Sequence, residues 1–226
     1  MKPDFKTEVQ QHFDERAERY DHDTETCDQQ DFVNFEVVIP YLLQHGGDRI
    51  LEVATGTGIV LERLLAAGKD AYGQDFSSGL LRVAETKRRI PSERLSRGDA
   101  EFLNFPDDHF DSACVFRSLH HMDSPLRVLK EMVRCAKRSV FVYDSAGGWR
   151  RRTKKTLDAL GLYQVIYSKL RGQPDSGYRP ANETEGPVKV FYVEDVIPIL
   201  GHERLRIVKV IRVPGNLFVH AEKRTH

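Results

Sequence analysis

The stretch Glu52-Val53-Ala54-Thr55-Gly56-Thr57-Gly58 constrains this chain more than any other. Ahead of it, Arg49-Ile50-Leu51 leads into the apolar run of a short buried parallel strand. Behind it, Ile59, Val60, Leu61, Leu64 and Leu65 fall at helical spacing. Strand, glycine turn and helix make a nucleotide-binding crossover, in which residues without a Cβ let the backbone turn sharply and approach a ligand closely. A dinucleotide turn of the form G-x-G-x-x-G would need a third glycine where Leu61 stands. The Glu52 carboxylate would also oppose a pyrophosphate at the helix N-terminus, whereas it suits an amino or sulfonium group. Such a turn also serves as a plain strand-to-helix loop, so the residues that follow decide its meaning.

Ala71-Tyr72-Gly73-Gln74 reads as a second strand, with Asp75 at its carboxyl end, 17 positions after Gly58. Ligands of open α/β sheets bind outside the carboxyl ends of the strands, where one carboxylate can accept both hydroxyls of a ribose. The competing role for Asp75 is a helix N-cap, which Ser77 or Ser78 can fill instead. Arg94 to Ala100 reads as a short third strand ending in Gly98-Asp99-Ala100, with Phe102 and Phe105 as candidates for an apolar wall beside a planar ligand. Pro106-Asp107-Asp108-His109-Phe110-Asp111 turns into a fourth strand, Ser112 to Phe116. Arg117-Ser118-Leu119-His120-His121 follows at its tip, then a helix from about Pro125 with Leu126, Leu129, Met132 and Val133 as its packing residues. Adjacent histidines point in different directions, and no third ligand of suitable spacing accompanies them, so no metal site is expected. Ser139 to Tyr143 is a fifth strand ending at Asp144, which is either an acceptor-side acid or a loop cap.

At the N-terminal end, Phe5, Val9, Phe13, Ala17 and Tyr20 draw one apolar stripe down a helix. A second helix is expected from about Asp31 to Gln44, with Phe32, Phe35, Val38, Ile39 and Leu42 inward and Gly46-Gly47 as its C-cap. Beyond Asp144 the alternation of elements pauses for roughly 60 residues, too long for a plain connection. A helix over 149–170, an irregular loop over 171–187 and a helix over 193–200 are expected there. The basic run 150–155 is either an anion site or, as favoured here, a solvated helix face. Leu205 to Val213, Pro214-Gly215-Asn216 and Leu217 to Ala221 read as a closing antiparallel hairpin.

In this combination the chain resembles class I S-adenosylmethionine-dependent methyltransferases, most closely their small-molecule branch of methyltransferase type 11, which includes the ubiquinone/menaquinone biosynthesis enzymes. The resemblance rests on the acid and alternating glycines of Glu52 to Gly58, on Gly98-Asp99-Ala100, on the Pro-Asp-x-x-Phe-Asp turn and on Phe13, Ala17, Tyr20 and Asp21, which match a helix that covers the cofactor. Ala54 stands where the family most often has a glycine. The resemblance implies a seven-stranded, mostly parallel Rossmann-like α/β sheet of order 3-2-1-4-5-7-6, with an antiparallel last strand and helices on both faces. It implies S-adenosylmethionine as cofactor and a small-molecule methyl acceptor. The implied cofactor residues are Tyr20, Glu52, Ala54, Thr55, Gly56 and Gly58 around the first turn. Asp75 and Phe76 follow at the second strand, then Asp99, Ala100 and Glu101, then Phe116 and Arg117. Asp99 would accept from the adenine amino group and the Ala100 amide would donate to the ring. His120, His121 and Asp144 are the candidates to take a proton from a hydroxyl acceptor. Two other classes share the crossover, a nicotinamide oxidoreductase and a catalytically silent cofactor-binding protein.

The 226 residues suit one domain. Within it, 1–45 is expected as a helical cap, 46–145 as the cofactor-binding core, 146–203 as an insertion shaping the acceptor site and 204–226 as the hairpin. With 34 basic and 34 acidic residues the chain shows no global attraction to nucleic acid, and no apolar run approaches a membrane span. The expected location is the cytoplasm, with a second copy of the chain as a candidate partner. Cys27, Cys114 and Cys135 have neither zinc-site nor C-x-x-C spacing and are expected to be reduced and inert.

Overall fold

The computed structural model describes residues 4–22, 29–145, 178–182, 186–189 and 205–224. Its centre is β1 (Arg49–Val53), whose Ile50, Leu51 and Val53 are wholly buried because the sheet is covered on both faces. Parallel neighbours flank it, β2 (Asp70–Asp75) on one side and β4 (Phe110–Phe116) on the other. Beyond β2 lies the short β3 (Leu95–Arg97), and beyond β4 lies β5 (Ala136–Ser145). The chain then returns in β8 (Leu205–Val213) and β9 (Asn216–Lys223). β9 inserts antiparallel beside β5, and β8 pairs antiparallel with β9 at the edge. The order β3-β2-β1-β4-β5-β9-β8 is the expected seven-stranded sheet.

Successive strand residues feed opposite cores, as the pleat requires. On one face α5 (Pro125–Cys135) lays Val128, Leu129 and Met132 against Leu51, Val53, Val115 and Val142. Val128 takes the inward place expected of Leu126, which is 43% exposed. On the other face α2 (Gln29–His45) and α3 (Ile59–Ala66) pack Phe35, Val38, Leu42, Val60 and Leu64 against Ile50, Cys114, Phe141 and Phe218. Gly47, at φ 78°, lies just past the end of α2, and Pro40 stands exposed inside it. Cys114 and Cys135 are free and buried. Cys27 and the side chain of Phe32 lie outside what is described.

α4 (Ser78–Thr86) follows β2, and α1 (Phe5–Arg16), with one 3-10 turn at Ala17–Arg19, lies across it. Val9, Phe13 and Ala17 of the stripe are buried against Leu80 and Val83, with Phe5 and Tyr20 packed at the margin. The region expected as an irregular loop holds two strands, β6 (Tyr178–Asn182) and β7 (Gly186–Lys189), paired antiparallel as a separate ribbon. Proline is tolerated there because a two-stranded ribbon leaves one edge of each strand unpaired. The helices expected over 149–170 and 193–200, and the basic run 150–155, fall outside the described residues.

Candidate active site

The carboxyl ends of β1, β2 and β4 open onto a cavity of about 240 Å³. Its first wall is the turn after β1. Ala54 and Gly56 take left-handed backbone conformations, φ 55° and 57°. A Cβ on Gly56 would meet nothing nearer than Leu80, at 4.0 Å, so the space beside the turn is open to a ligand. Glu52 is buried and accepts from the Thr55 hydroxyl at 2.6 Å. Burial pushes its carboxyl up to about 8, against the Thr55 and Leu61 hydrogen bonds, so an arriving cation would ionise it.

At the tip of β2 the two oxygens of Asp75 accept from the Gly56 and Ser77 amides, each at 2.9 Å. Burial raises this carboxyl to about 6 despite those amides. Ser77 caps α4 by accepting from Leu80, so Asp75 keeps its remaining lone pairs for a ligand. Beyond β3, Asp99 accepts from the Glu101 amide at 2.9 Å and pairs with Lys6 of α1 at 2.7 Å. Lys6 also reaches the buried Glu101 carboxylate at 3.1 Å.

The opposite end of the cavity is built at the tips of β4 and β5. Arg117 adopts φ 52°, donates its amide to Tyr143 O at 2.7 Å and its guanidinium to Asn216 Oδ1 at 3.3 Å. A 3-10 turn, Leu119–His121, then brings His120 Nδ1 to 2.6 Å from Asp144 Oδ1. Asp144 is 1% exposed and also accepts from the Leu119 and Ser145 amides. Burial would raise its pKa, but His120, the Ser145 amide and the Arg117 charge hold it below the ordinary value. An ionised Asp144 takes the Nδ1 proton as a hydrogen bond, which leaves His120 Nε2 as the basic nitrogen. His121 packs edge-on against Phe13 of α1, with ring centroids 5.1 Å apart.

α1 roofs the cavity with Lys6, Val9 and Phe13, and Tyr20 adds to the wall from just beyond it. Its Asp14 accepts from Ser77 Oγ at 2.6 Å and the Gly79 amide at 2.8 Å, and Asp21 binds Thr57 of the glycine turn and Arg88. β7 lies against α1 and the Leu119–His121 turn.

Of the residues expected at the site, Tyr20, Glu52, Ala54, Thr55 and Gly56 line this cavity together. So do Asp75, Phe76, Asp99, Ala100 and Glu101, as well as Phe116, Arg117, His120 and His121. Gly58 does not; at φ 81° it begins α3 and faces Ile90 and Ala84. Asp144 stands behind His120 instead of on the wall. The apolar wall expected of Phe102 and Phe105 is supplied by Phe13, Phe35, Phe76 and Phe116. Phe102 is 60% exposed between Lys6 and Arg127, and Phe105 packs on Phe110. Lys6, Phe35, Met122 and Asp123 were not legible as site residues, because only the folded chain brings them there. Among the described residues no group of three or more His, Cys, Asp or Glu could hold a metal, and no helix is long and apolar enough to cross a membrane.

Residues 51–143 match the family described as a methyltransferase domain. Demethylmenaquinone methyltransferase of Renibacterium salmoninarum is 41% identical over 91 residues, covering 40% of this chain and 38% of its own. That of Beutenbergia cavernae is 34% identical over 123 residues, 54% of this chain and 50% of its own, so the chain spans half or less of the length of these relatives. Among solved structures, magnesium protoporphyrin IX methyltransferase from Synechocystis PCC 6803, with bound S-adenosylhomocysteine, superposes with TM-score 0.68 at 16% identity. The match covers 97% of this chain and 100% of that one. A methyltransferase from Aquifex aeolicus gives TM-score 0.56 at 18% identity, over 82% and 89%.

Proposed function

We propose that this chain, which carries the methyltransferase-domain family over residues 51–143, transfers a methyl group from S-adenosylmethionine to a small-molecule acceptor in the cytoplasm. The observation that carries this reading is the convergence of Glu52, Asp75 and Asp99 on one cavity whose other end is lined by His120. The acids follow one another along the tips of β3, β2 and β1, an order that suits an adenosine with an amino-acid tail. Asp75 would hold the ribose hydroxyls, Asp99 and the Ala100 amide the adenine edge, and Glu52 the ammonium. The cofactor, when bound, supplies a methyl group already activated by its sulfonium. The protein's part is then to align the acceptor and exclude water, and α1 closes the cavity to that end. His120, oriented by Asp144, would take the proton of a hydroxyl acceptor through Nε2. The 146–203 segment would shape the acceptor side, a role favoured by the position of β7 against the Leu119–His121 turn.

Calorimetry with S-adenosylhomocysteine tests the reading. Asp75→Ala should weaken binding by roughly 30-fold, the ~2 kcal/mol of a charge-assisted hydrogen bond. Unchanged affinity, or a larger thermal shift with NADH than with S-adenosylhomocysteine, would reject it.

A further inference from the structure

Gln74 of β2 is 1% exposed, and a buried side-chain amide is costly unless its polar ends find partners. Its partners are the two ends of one loop. Nε2 donates to Asp99 O at 3.1 Å, and Oε1 accepts from the Asn104 amide at 3.0 Å. A backbone N–H only donates, so these partners fix which way round the Gln74 amide lies. Asn104 Nδ2 in turn donates to Arg97 O at 3.0 Å, which draws the far end of the loop back onto β3. Gly98 lies over this junction. A Cβ there would come to 2.6 Å from Asn104 Nδ2 and 2.8 Å from Gln74 Nε2.

The consequence falls on the peptide between Asp99 and Ala100. A trans peptide is planar, so its carbonyl and its N–H point in opposite directions. Two donors hold the carbonyl, Gln74 Nε2 and the Phe102 amide, the latter at 3.0 Å. Phe102 belongs to the same loop and moves with it, whereas Gln74 belongs to the sheet. The Gln74 bond therefore ties the orientation of this peptide to β2, and so to Asp75 at the tip of that strand. The Ala100 N–H is turned away from Gln74. Ala100 is 8% exposed and lines the cavity, yet its amide donates to no acceptor among the described residues. We propose that Gln74 is a positioning residue for the cofactor's adenine: through the Asp99 carbonyl it aims the Ala100 N–H at ring nitrogen N1. The proposal rests on the methyl-transfer reading above, in which Ala100 meets the adenine edge, and supplies what holds that amide in place.

Calorimetry on the full chain tests this with S-adenosylhomocysteine and its analogue in which CH replaces N1. The two ligands share every other group, so the ratio of their affinities reads the N1 contact and cancels a general loosening of the pocket. The wild-type chain should bind the analogue roughly tenfold more weakly, the loss of one hydrogen bond to a buried amide. Gln74→Met keeps the length of the side chain without either polar end. It should weaken S-adenosylhomocysteine about tenfold and leave the analogue nearly unchanged, which brings the ratio close to one. Gly98→Ala should move the ratio the same way, because its methyl displaces the Gln74 amide while Gln74 itself remains. That variant decides the outcome if Gln74→Met shows no cooperative urea transition. Equal affinity for the two ligands in the wild-type chain, or a wild-type ratio in a folded variant, would overturn the proposal. Failure of the wild-type chain to bind S-adenosylhomocysteine would instead overturn the methyl-transfer reading, and this inference with it.

Discussion

His220 is a buried imidazole, 1% exposed, stacked on Phe141 at 4.3 Å with Nδ1 3.1 Å from the Tyr41 hydroxyl. Its Nε2 makes no hydrogen bond among the described residues, and Glu222 stands 3.8 Å away. Burial lowers its pKa to about 4, with Glu222 acting against. The unfolded chain, with its ordinary value of 6.5, therefore binds this proton first as pH falls. Stability from neutral His220 is complete above about 6.5 and is lost as pH drops toward 4, by up to roughly 3 kcal/mol. Urea titrations at pH 7 and pH 5 should show this loss, and His220→Phe should flatten it; an equal pH slope in the variant would exclude His220 as its source. At this scale the sequence was informative where a motif repeats a chemical need, as at Glu52, Asp75 and His120. It was silent where two distant residues meet. Nothing local pairs Lys6 with Asp99, 93 positions away, or sets Phe76 rather than Phe102 in the cavity wall.

Among the elements, the contact of α1 with α4 depends on one absent side chain. A Cβ on Gly79 would lie 3.0 Å from Asp14 Cα and O and 3.1 Å from Ala17 Cβ, so the two helices touch backbone to backbone. Leucine at that position favours α4 itself by about 0.8 kcal/mol, but it pushes α1 off the cavity. Gly79→Leu should therefore lower the melting temperature, because Val9, Phe13 and Ala17 lose their burial against Leu80 and Val83, while S-adenosylhomocysteine dissociates about tenfold faster and proteases cut within residues 5–22. A variant with wild-type dissociation would show that α1 does not retain the ligand. The core helices were legible from the spacing of their apolar residues and the β8–β9 pair from its β-branched run, and β9 follows its turn as Pro214-Gly215-Asn216 foretold. The β6–β7 ribbon was not, since its glycine, proline and asparagine content reads as loop and its pairing comes from folding.

For the molecule as a whole, the sheet separates two cores, and the cavity lies beyond both, at the strand tips under α1. Leu129→Ala, on the α5 face, should cost ~2–5 kcal/mol and lower the melting temperature by ~5–15 °C, with S-adenosylhomocysteine affinity intact at 25 °C. Loss of affinity in the folded variant would mean that the α5 core supports the cavity after all. The topology was legible through the family resemblance, since β2 (Asp70–Asp75) and β3 (Leu95–Arg97) carry no continuous apolar run, whereas the packing of α1 across the cavity required the three-dimensional arrangement. β9 lies between β5 and β8, though it is translated after both. On the ribosome, β5 therefore waits with a bare edge for several seconds at about 5–20 residues per second, until Asn216–Lys223 emerges. A nascent chain at that stage already possesses its glycine turn and Asp75 but lacks Asn216. The newborn protein would thus hold its glycine turn and Asp75 before Asn216 arrives to take the guanidinium of Arg117.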